Sequence, residues 1–381
     1  MRHAFSLVLC AALCAWGCKK SESPRENAPA PARTPKAAQP PLVGLVTDVG
    51  GRGDHSFNDS ALRGLESWSA GMALKSGDYQ PLSATDIAAT VPEALKDKVH
   101  PLGIKPLVVQ SKAQEDYRPN LQLLVDQGAD LTVGTGFMLE NAVEAVAKAN
   151  PEAKFLLIDS PLLDAKGTPI TLPNVRTVVF REEEGSFLVG ALAASVAKKQ
   201  VGFVGGMEIP LIKKFEAGFR AGVRAVNPQL KVLIAYTGSF DNVAAGKQVA
   251  QDLFNKGSEV VFHAAGSDGL GVIQAAKEAR AAGRNVYVIG VDSDQYPLAP
   301  EAVLSSMVKQ VDFAVYQAVE LLRQGQFTQG DIALGLKEGG VNYAPIRVEL
   351  PEKEKIVATL EGLRAKVVAG EIKVPSNVSE H

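Results

Sequence analysis

The residues able to do chemistry gather in short glycine-rich runs. The first reads Thr47-Asp48-Val49-Gly50-Gly51-Arg52-Gly53-Asp54-His55-Ser56-Phe57-Asn58, presenting acids, an aromatic ring and an amide just before a helical pattern. Similar runs follow at Gly134-Thr135-Gly136-Phe137, Gly205-Gly206-Met207, Gly266-Ser267-Asp268 and Gly290-Val291-Asp292-Ser293-Asp294-Gln295. Glycine allows close backbone approach and positive φ, carboxylates and amides bond along a polar edge, and an aromatic ring offers a flat apolar face. For any single run, a plainer reading is a glycine that ends a strand in a tight turn. Acids and aromatics recurring in this setting point instead to ligand contacts.

Catalytic and cofactor patterns fit these runs poorly. A nucleoside-hydrolase calcium cage would need acids where Val46 and His55 stand. The dinucleotide fingerprint fails after Gly134-Thr135-Gly136, because Leu139 occupies the third glycine position. Gly246-Lys247 is followed by Gln248 and lacks both the glycine spacing and the hydroxyl of a P-loop. The five histidines are not paired at metal-ligand spacing, and His263 reads as a structural strand-end residue. No enzyme activity, cofactor or metal is expected, which leaves binding without chemistry.

The runs must be positioned by the elements around them. Buried β-branched stretches at Leu42 to Thr47, Lys105 to Gln110, Asp130 to Thr135, Lys154 to Asp159 and Val175 to Phe180 read as strands. Helical periodicity lies between most of them, as in Ala61, Leu62, Leu65 and Trp68, or Leu121, Leu124 and Val125. A second series has strands at Val201 to Gly205, Leu230 to Tyr236, Glu259 to His263 and Asn285 to Val291, with helices at Ile212 to Val226, Val243 to Asn255 and Leu270 to Ala282. Strand and helix in alternation imply right-handed crossovers and two doubly wound parallel-sheet lobes. Such sheets bind ligands outside the carboxyl ends of their strands, so facing lobes would share a site in the cleft.

Composition agrees with a folded body. The chain has 381 residues, 46% hydrophobic and 22% charged, long enough for two units at roughly 150 residues each. Forty basic residues against 42 acidic give a net charge of −2, so no positive field favours nucleic acid or an anionic surface. All three cysteines, Cys10, Cys14 and Cys18, lie in the first 18 residues, and the body has no thiol chemistry. Arg2 and His3 precede an apolar stretch from Ala4 to Trp16, as in a secretory signal. Ala15-Trp16-Gly17-Cys18 resembles a bacterial lipobox with Cys18 as the lipidated residue, although Ala15 and Trp16 depart from the usual pattern and a plain secretory signal is the alternative. Residues 19–41 hold six of the 22 prolines and read as an extended tether between a lipid, such as palmitate, and the body.

VTDVGGRGDHSFND, VGTGFM, VVFREEEGSFLVGALAA, VGFVGGMEIPLIKKFEAGFRAGV, YTGSFDNVAAGKQVA, VVFHAAGSDGLGVIQAAKEA and VIGVDSDQ together resemble the basic membrane protein (BMP) family. These are lipoprotein substrate-binding components of ABC transporters, with purine nucleoside receptors among them. The resemblance covers about Leu42 to Gly325 and implies a type I periplasmic binding protein fold, two lobes joined by a three-segment hinge. The expected division is residues 1–18 as signal and lipidation site, 19–41 as tether, 42–181 plus 309–328 as the first lobe, and 182–308 plus 329–381 as the second. The resemblance also implies site roles. Asp48, Ser56, Phe57, Asn58 and Phe137 would meet the ligand from the first lobe, with Phe57 stacking on a base and Asp48 reading its edge. Asp292, placed after the last strand of the second lobe, would accept from the two ribose hydroxyls, and Met207 and Gly266 would line the wall. Lys309 would donate to the sugar and balance the acid, the alternative being a solvated helix residue.

The partners so implied are a nucleoside and the permease and ATPase subunits, with the protein a monomer held at the outer face of a bacterial membrane. A sensory lipoprotein or a receptor for another small, sugar-like solute is the competing expectation. One departure from the family is a proline-containing insertion at about Met72 to Gly103. It follows the first helix, which places it at the amino ends of the strands, away from the cleft and with little effect on ligand choice.

Overall fold

Two open sheets, each flanked by helices, organise the body in a computed structural model that describes residues 39–164 and 166–378. The leader with Cys18 and the tether as far as residue 38 lie outside the described residues. The first sheet runs Gly330–Leu334, Val175–Phe180, Phe155–Ile158, Leu131–Thr135, Leu42–Val46, Lys105–Val109, with every neighbour parallel. The second runs Lys231–Tyr236, Gln200–Gly205, Val260–Ala264, Tyr287–Asp292, Val303–Lys309, also parallel, and ends in antiparallel Val341–Tyr343. Parallel strands covered by helices on both faces become continuous apolar runs, as in Leu42–Val46 and the fully buried Phe155–Ile158. The second lobe's core is built on Phe203, Phe219 and Phe262, whose ring centroids lie 5.4–6.2 Å apart.

The chain crosses between the sheets three times: at Arg181 into helix Glu182–Val196, at Gln310 into helix Val311–Arg323, and over residues 335–340. These crossings correct three expectations. Gly330–Leu334 pairs with Val175–Phe180 and therefore lies in the first sheet, although residues from 329 onward were assigned to the second lobe. Lys309, assigned to the first lobe, closes Val303–Lys309 in the second sheet. Asp292 does not follow the last strand of its lobe, because Val303–Lys309 and Val341–Tyr343 come after it. Those later strands carry buried Ser305, Ser306 and Lys309, which interrupt the apolar pattern that marked the others.

The insertion is a small folded unit. A hairpin of Met72–Lys75 and Asp78–Pro81 leads to helix Ala84–Thr90, capped by Ser83 and Asp86. Ile87, Val91 and Leu95 pack with Trp68 and Tyr316. The hairpin does not stay at the amino ends of the strands. It folds back along Arg63–Ser69, the π-helical continuation of the first helix Phe57–Leu62, until Tyr79 Oη donates to Glu66 Oε1 at 2.5 Å.

Candidate functional site

A cavity opens where the carboxyl ends of the two sheets face each other, the position at which open α/β sheets take small ligands. The first lobe lines it with Asp48, Gly50, Asp54, Phe57, Asn58, Gly136, Phe137 and Asp159. The facing wall includes Leu211, Ile212, Phe215, Phe240, Gly266, Asp292 and Lys309.

Short local bonds set the first-lobe wall. Asp54 accepts from the backbone N–H groups of Ser56, Asn58 and Asp59 at 2.9, 2.7 and 3.0 Å, which fixes the start of helix Phe57–Leu62 and turns Phe57 toward the cleft. The Asn58 amide donates to Asp48 Oδ1 at 2.7 Å and Asp54 Oδ2 at 3.1 Å. Asn58 thus holds two acids in place, and its amide nitrogen is already engaged inside its own lobe. Burial pushes both acids up to about 6, against the opposing effect of these hydrogen bonds. Gly136, at φ +108°, passes so close that a Cβ there would lie 3.2 Å from Asp48 Oδ2 and 3.3 Å from the Phe57 ring. A side chain at this position would intrude on the ligand space.

The opposite end is ionic and is assembled from both lobes. Lys309 Nζ, 2% exposed, donates to both oxygens of Asp159 at 2.9 and 2.8 Å, and lies 3.6 Å from Glu182 and 4.0 Å from Asp292. Burial alone would lower the lysine, but Asp159, Glu182 and Asp292 together hold it above its ordinary value and therefore charged. Burial raises Asp292 to about 6 and Glu182 to about 7, with Lys309 opposing both shifts. Asp159 and Asp292 both have positive φ, at +74° and +62°. Non-glycine residues rarely adopt this backbone state, and it turns the two carboxylates toward one ammonium. Ser56 Oγ, fully buried behind the wall, reaches across the lobes to donate to Asp292 Oδ2 at 2.5 Å.

The structure brings Asp48, Phe57, Asn58, Phe137, Gly266, Asp292 and Lys309 to one cavity, and Ser56 to the layer behind it. Lys309 is a buried strand-end residue rather than a solvated helix residue. Met207 is not on the cavity wall: Phe240 lies across Gly206, and the first turns of helix Pro210–Val226 supply Leu211, Ile212 and Phe215 instead. Asp159 and Phe240 were missed, although Asp159 ends a strand read from the sequence and Phe240 stands in the quoted run YTGSFDN. Phe240 meets Phe137 edge to face, with centroids 6.2 Å apart, joining the aromatic linings of the two lobes. His263 is fully buried in its strand, with Nε2 3.1 Å from Gln295 Oε1, and burial lowers it to about 4. Among the described residues, no group of three or more histidines, cysteines or acids is arranged to hold a metal.

Two doubly wound parallel lobes, three crossings and a strand-end cavity between them define a type I periplasmic binding protein, a solute-binding class. Residues 42–378 match the family described as ABC transporter substrate-binding protein PnrA-like, and the chain belongs to that family. It is 33% identical over 353 residues to a Listeria monocytogenes protein named CD4+ T-cell-stimulating antigen, covering 89% of each chain. It is 32% identical over 346 residues to the ABC transporter nucleoside-binding protein BmpA of Lactococcus lactis, covering 87% of this chain and 88% of that one. The crystal structure of an ABC transporter solute-binding protein from Aeropyrum pernix superposes with a TM-score of 0.72 at 29% identity, covering 89% of this chain and 95% of that one. The protein is an ABC transporter substrate-binding protein, a type that takes up a small molecule and works with permease and ATPase subunits.

Proposed function

We propose that the cavity captures purine nucleosides for uptake, without chemistry on them, and that a lipid on Cys18 holds the protein at the outer face of a membrane. The observation that carries the ligand reading is the cavity's two-ended chemistry. Phe57, Phe137, Phe215 and Phe240 supply apolar faces for a planar base, while Asp292, beside Lys309, supplies an acceptor for vicinal hydroxyls. Asp48, on the cavity wall, accepts from the edge of the base in this reading. The lining holds four acids, Asp48, Asp54, Asp159 and Asp292, against one cation, Lys309, and that cation is already paired. This balance disfavours a phosphate, so a nucleoside fits better than a nucleotide. The name of the Lactococcus lactis relative supports the same ligand class.

Calorimetry with guanosine, guanosine monophosphate, uridine and ribose tests the reading. Guanosine is expected to bind best and the monophosphate at least tenfold more weakly. Equal binding of ribose and guanosine would transfer the site to a sugar-like solute. For the anchor, intact-mass spectrometry should find a mature chain beginning at an acylated Cys18, and Cys18→Ser should release the body from membranes.

A further inference from the structure

We propose that the 72–103 insertion tunes ligand binding by bracing the glycine-rich loop that carries Asp48, through a relay of Tyr79, Glu66 and Arg52. This deepens the interlobe-site reading and rests on it. Arg52 sits between Gly51 and Gly53, whose φ values of +59° and +96° mark a backbone with little intrinsic stiffness. Two residues earlier, the Gly50 N–H donates to Asp48 Oδ1 at 2.8 Å, so displacement of the loop reaches the ligand-facing carboxylate directly. Arg52 is anchored by a two-pronged bond to Glu66, at 2.9 and 2.7 Å, and by its backbone N–H to Gln110 Oε1 at 3.1 Å.

Glu66 is 5% exposed, and the remaining demand of its carboxylate is met by the Tyr79 hydroxyl at 2.5 Å. Burial and the neighbouring carboxylate hold the Tyr79 phenol above its usual range, so it stays a donor. A buried carboxylate with both oxygens engaged has few alternative positions, and the planar guanidinium bound to it is fixed in turn. Tyr79 is held by a unit with its own footing. The Trp68 indole donates to Thr90 Oγ1 at 2.9 Å, and the Tyr316 hydroxyl accepts from the His100 N–H at 3.2 Å and donates to the Lys98 carbonyl at 3.0 Å. Tyr316 lies on helix Val311–Arg323, which starts two residues after Lys309. The insertion therefore rests on two helices whose first residues adjoin the cavity. Gly64 allows these helices to meet, since a Cβ there would lie 2.2 Å from the Asp312 carbonyl oxygen. In this arrangement Tyr79, Glu66 and Arg52 are positioning residues, and Arg52 is not part of the cavity wall.

The test combines hydrogen exchange over residues 49–56 with guanosine calorimetry on the whole protein. Tyr79→Phe keeps the ring and removes only the relay hydroxyl. It is expected to speed exchange in the ligand-free loop and weaken guanosine binding roughly three- to tenfold, as expected for a lost hydrogen bond to a charged group that acts through preorganisation. Arg52→Lys, which cannot make the two-pronged bond, should do the same, and adding Tyr79→Phe to it should cost little more. Wild-type exchange and affinity in both single variants would overturn the proposal, as would a lowered thermal midpoint with affinity unchanged. If guanosine fails to bind the wild type, the nucleoside reading falls, and exchange over 49–56 alone decides the relay.

Discussion

The two ends of the cavity hold acids of similar burial and a similarly raised proton affinity, yet they are built differently. Asp48 is oriented by Asn58 and by the Gly50 N–H, all from the first lobe. Asp292 belongs to the second lobe but takes its closest hydrogen bond from Ser56 of the first, while the adjoining Lys309 is held by Asp159 of the first. One end exists in a lobe by itself, and the other is completed only when the lobes meet. A ligand that engages Asp292 therefore interacts with the closed arrangement, and that differential contact is what shifts a two-state equilibrium. The Asp48 end, by contrast, is preformed within one lobe.

The largest expected effect follows from removing the charge at the shared end. Two charge-assisted hydrogen bonds from ribose hydroxyls contribute roughly 3 to 6 kcal/mol, so Asp292→Asn should weaken ribonucleoside binding by about two to four decades in calorimetry. Asp48→Asn should cost less and alter the ranking of bases rather than the preference for ribose over deoxyribose. If the two variants lose affinity equally and discriminate the same ligands, the contrast between the ends is broken.

Next in size is the sugar itself. On the wild type, 2′-deoxyguanosine should bind about 10- to 100-fold more weakly than guanosine, the effect of one hydrogen bond to a charged group. On Asp292→Asn the two should come close together. A deoxyribose penalty that survives the substitution would assign the hydroxyl to another residue.

Protonation gives a smaller effect with a definite sign. Asp292 has a value of about 6 in the ligand-free protein, and hydroxyl donors favour its carboxylate, so guanosine affinity should fall by about tenfold as pH drops from 7 to 5. Stability should run the other way. Asp48, Asp54 and Asp292 are each raised from 3.8 to about 6, so the fold retains protons that the unfolded chain releases. Their contribution to stability is present below pH 4 and is lost as pH rises through about 6. Thermal melts of wild type against Asp292→Asn between pH 4 and 7 isolate that slope, and parallel curves would remove Asp292 as its source. The smallest change expected is that of Ser56→Ala, about two- to fivefold in affinity for loss of one bridge across the lobes. Small-angle scattering of the ligand-free variant should show a larger radius of gyration than wild type, and an unchanged radius would deny Ser56 a part in closure.

Much of this was legible in the sequence because parallel strands buried on both faces leave unmistakable apolar runs, and glycine marks where they end. Asp48, Phe57 and Asp292 stood out for that reason. The rest depended on contacts distant in sequence. Glu182–Val196 is buried over most of its surface and so carries little amphipathic period. Gly330–Leu334 is a half-exposed edge strand whose lobe is decided by its pairing with Val175–Phe180, its partners lying 154 residues earlier. Met207 and Phe240 had equal claims as strand-end residues. Only the packing of a ring over Gly206 decided between them. The hairpin that carries Tyr79 back to Glu66 is marked locally by its Ser76-Gly77 turn, both residues at positive φ, but nothing local says which helix it returns to.

The three chain crossings also have a mechanical consequence. In a rigid rotation, displacement grows with distance from the axis, and Lys309, Asp159 and Glu182 all stand within a residue or two of a crossing or touch one that does. This charged knot lies beside the crossings, whereas Phe137, the first residue of the short helix Phe137–Leu139, and Phe240 follow strands that no crossing leaves. Residues at or against the crossings, Lys309 and Asp159, therefore also line the cavity, so a substitution meant to alter what the cavity holds will also alter how the lobes are joined.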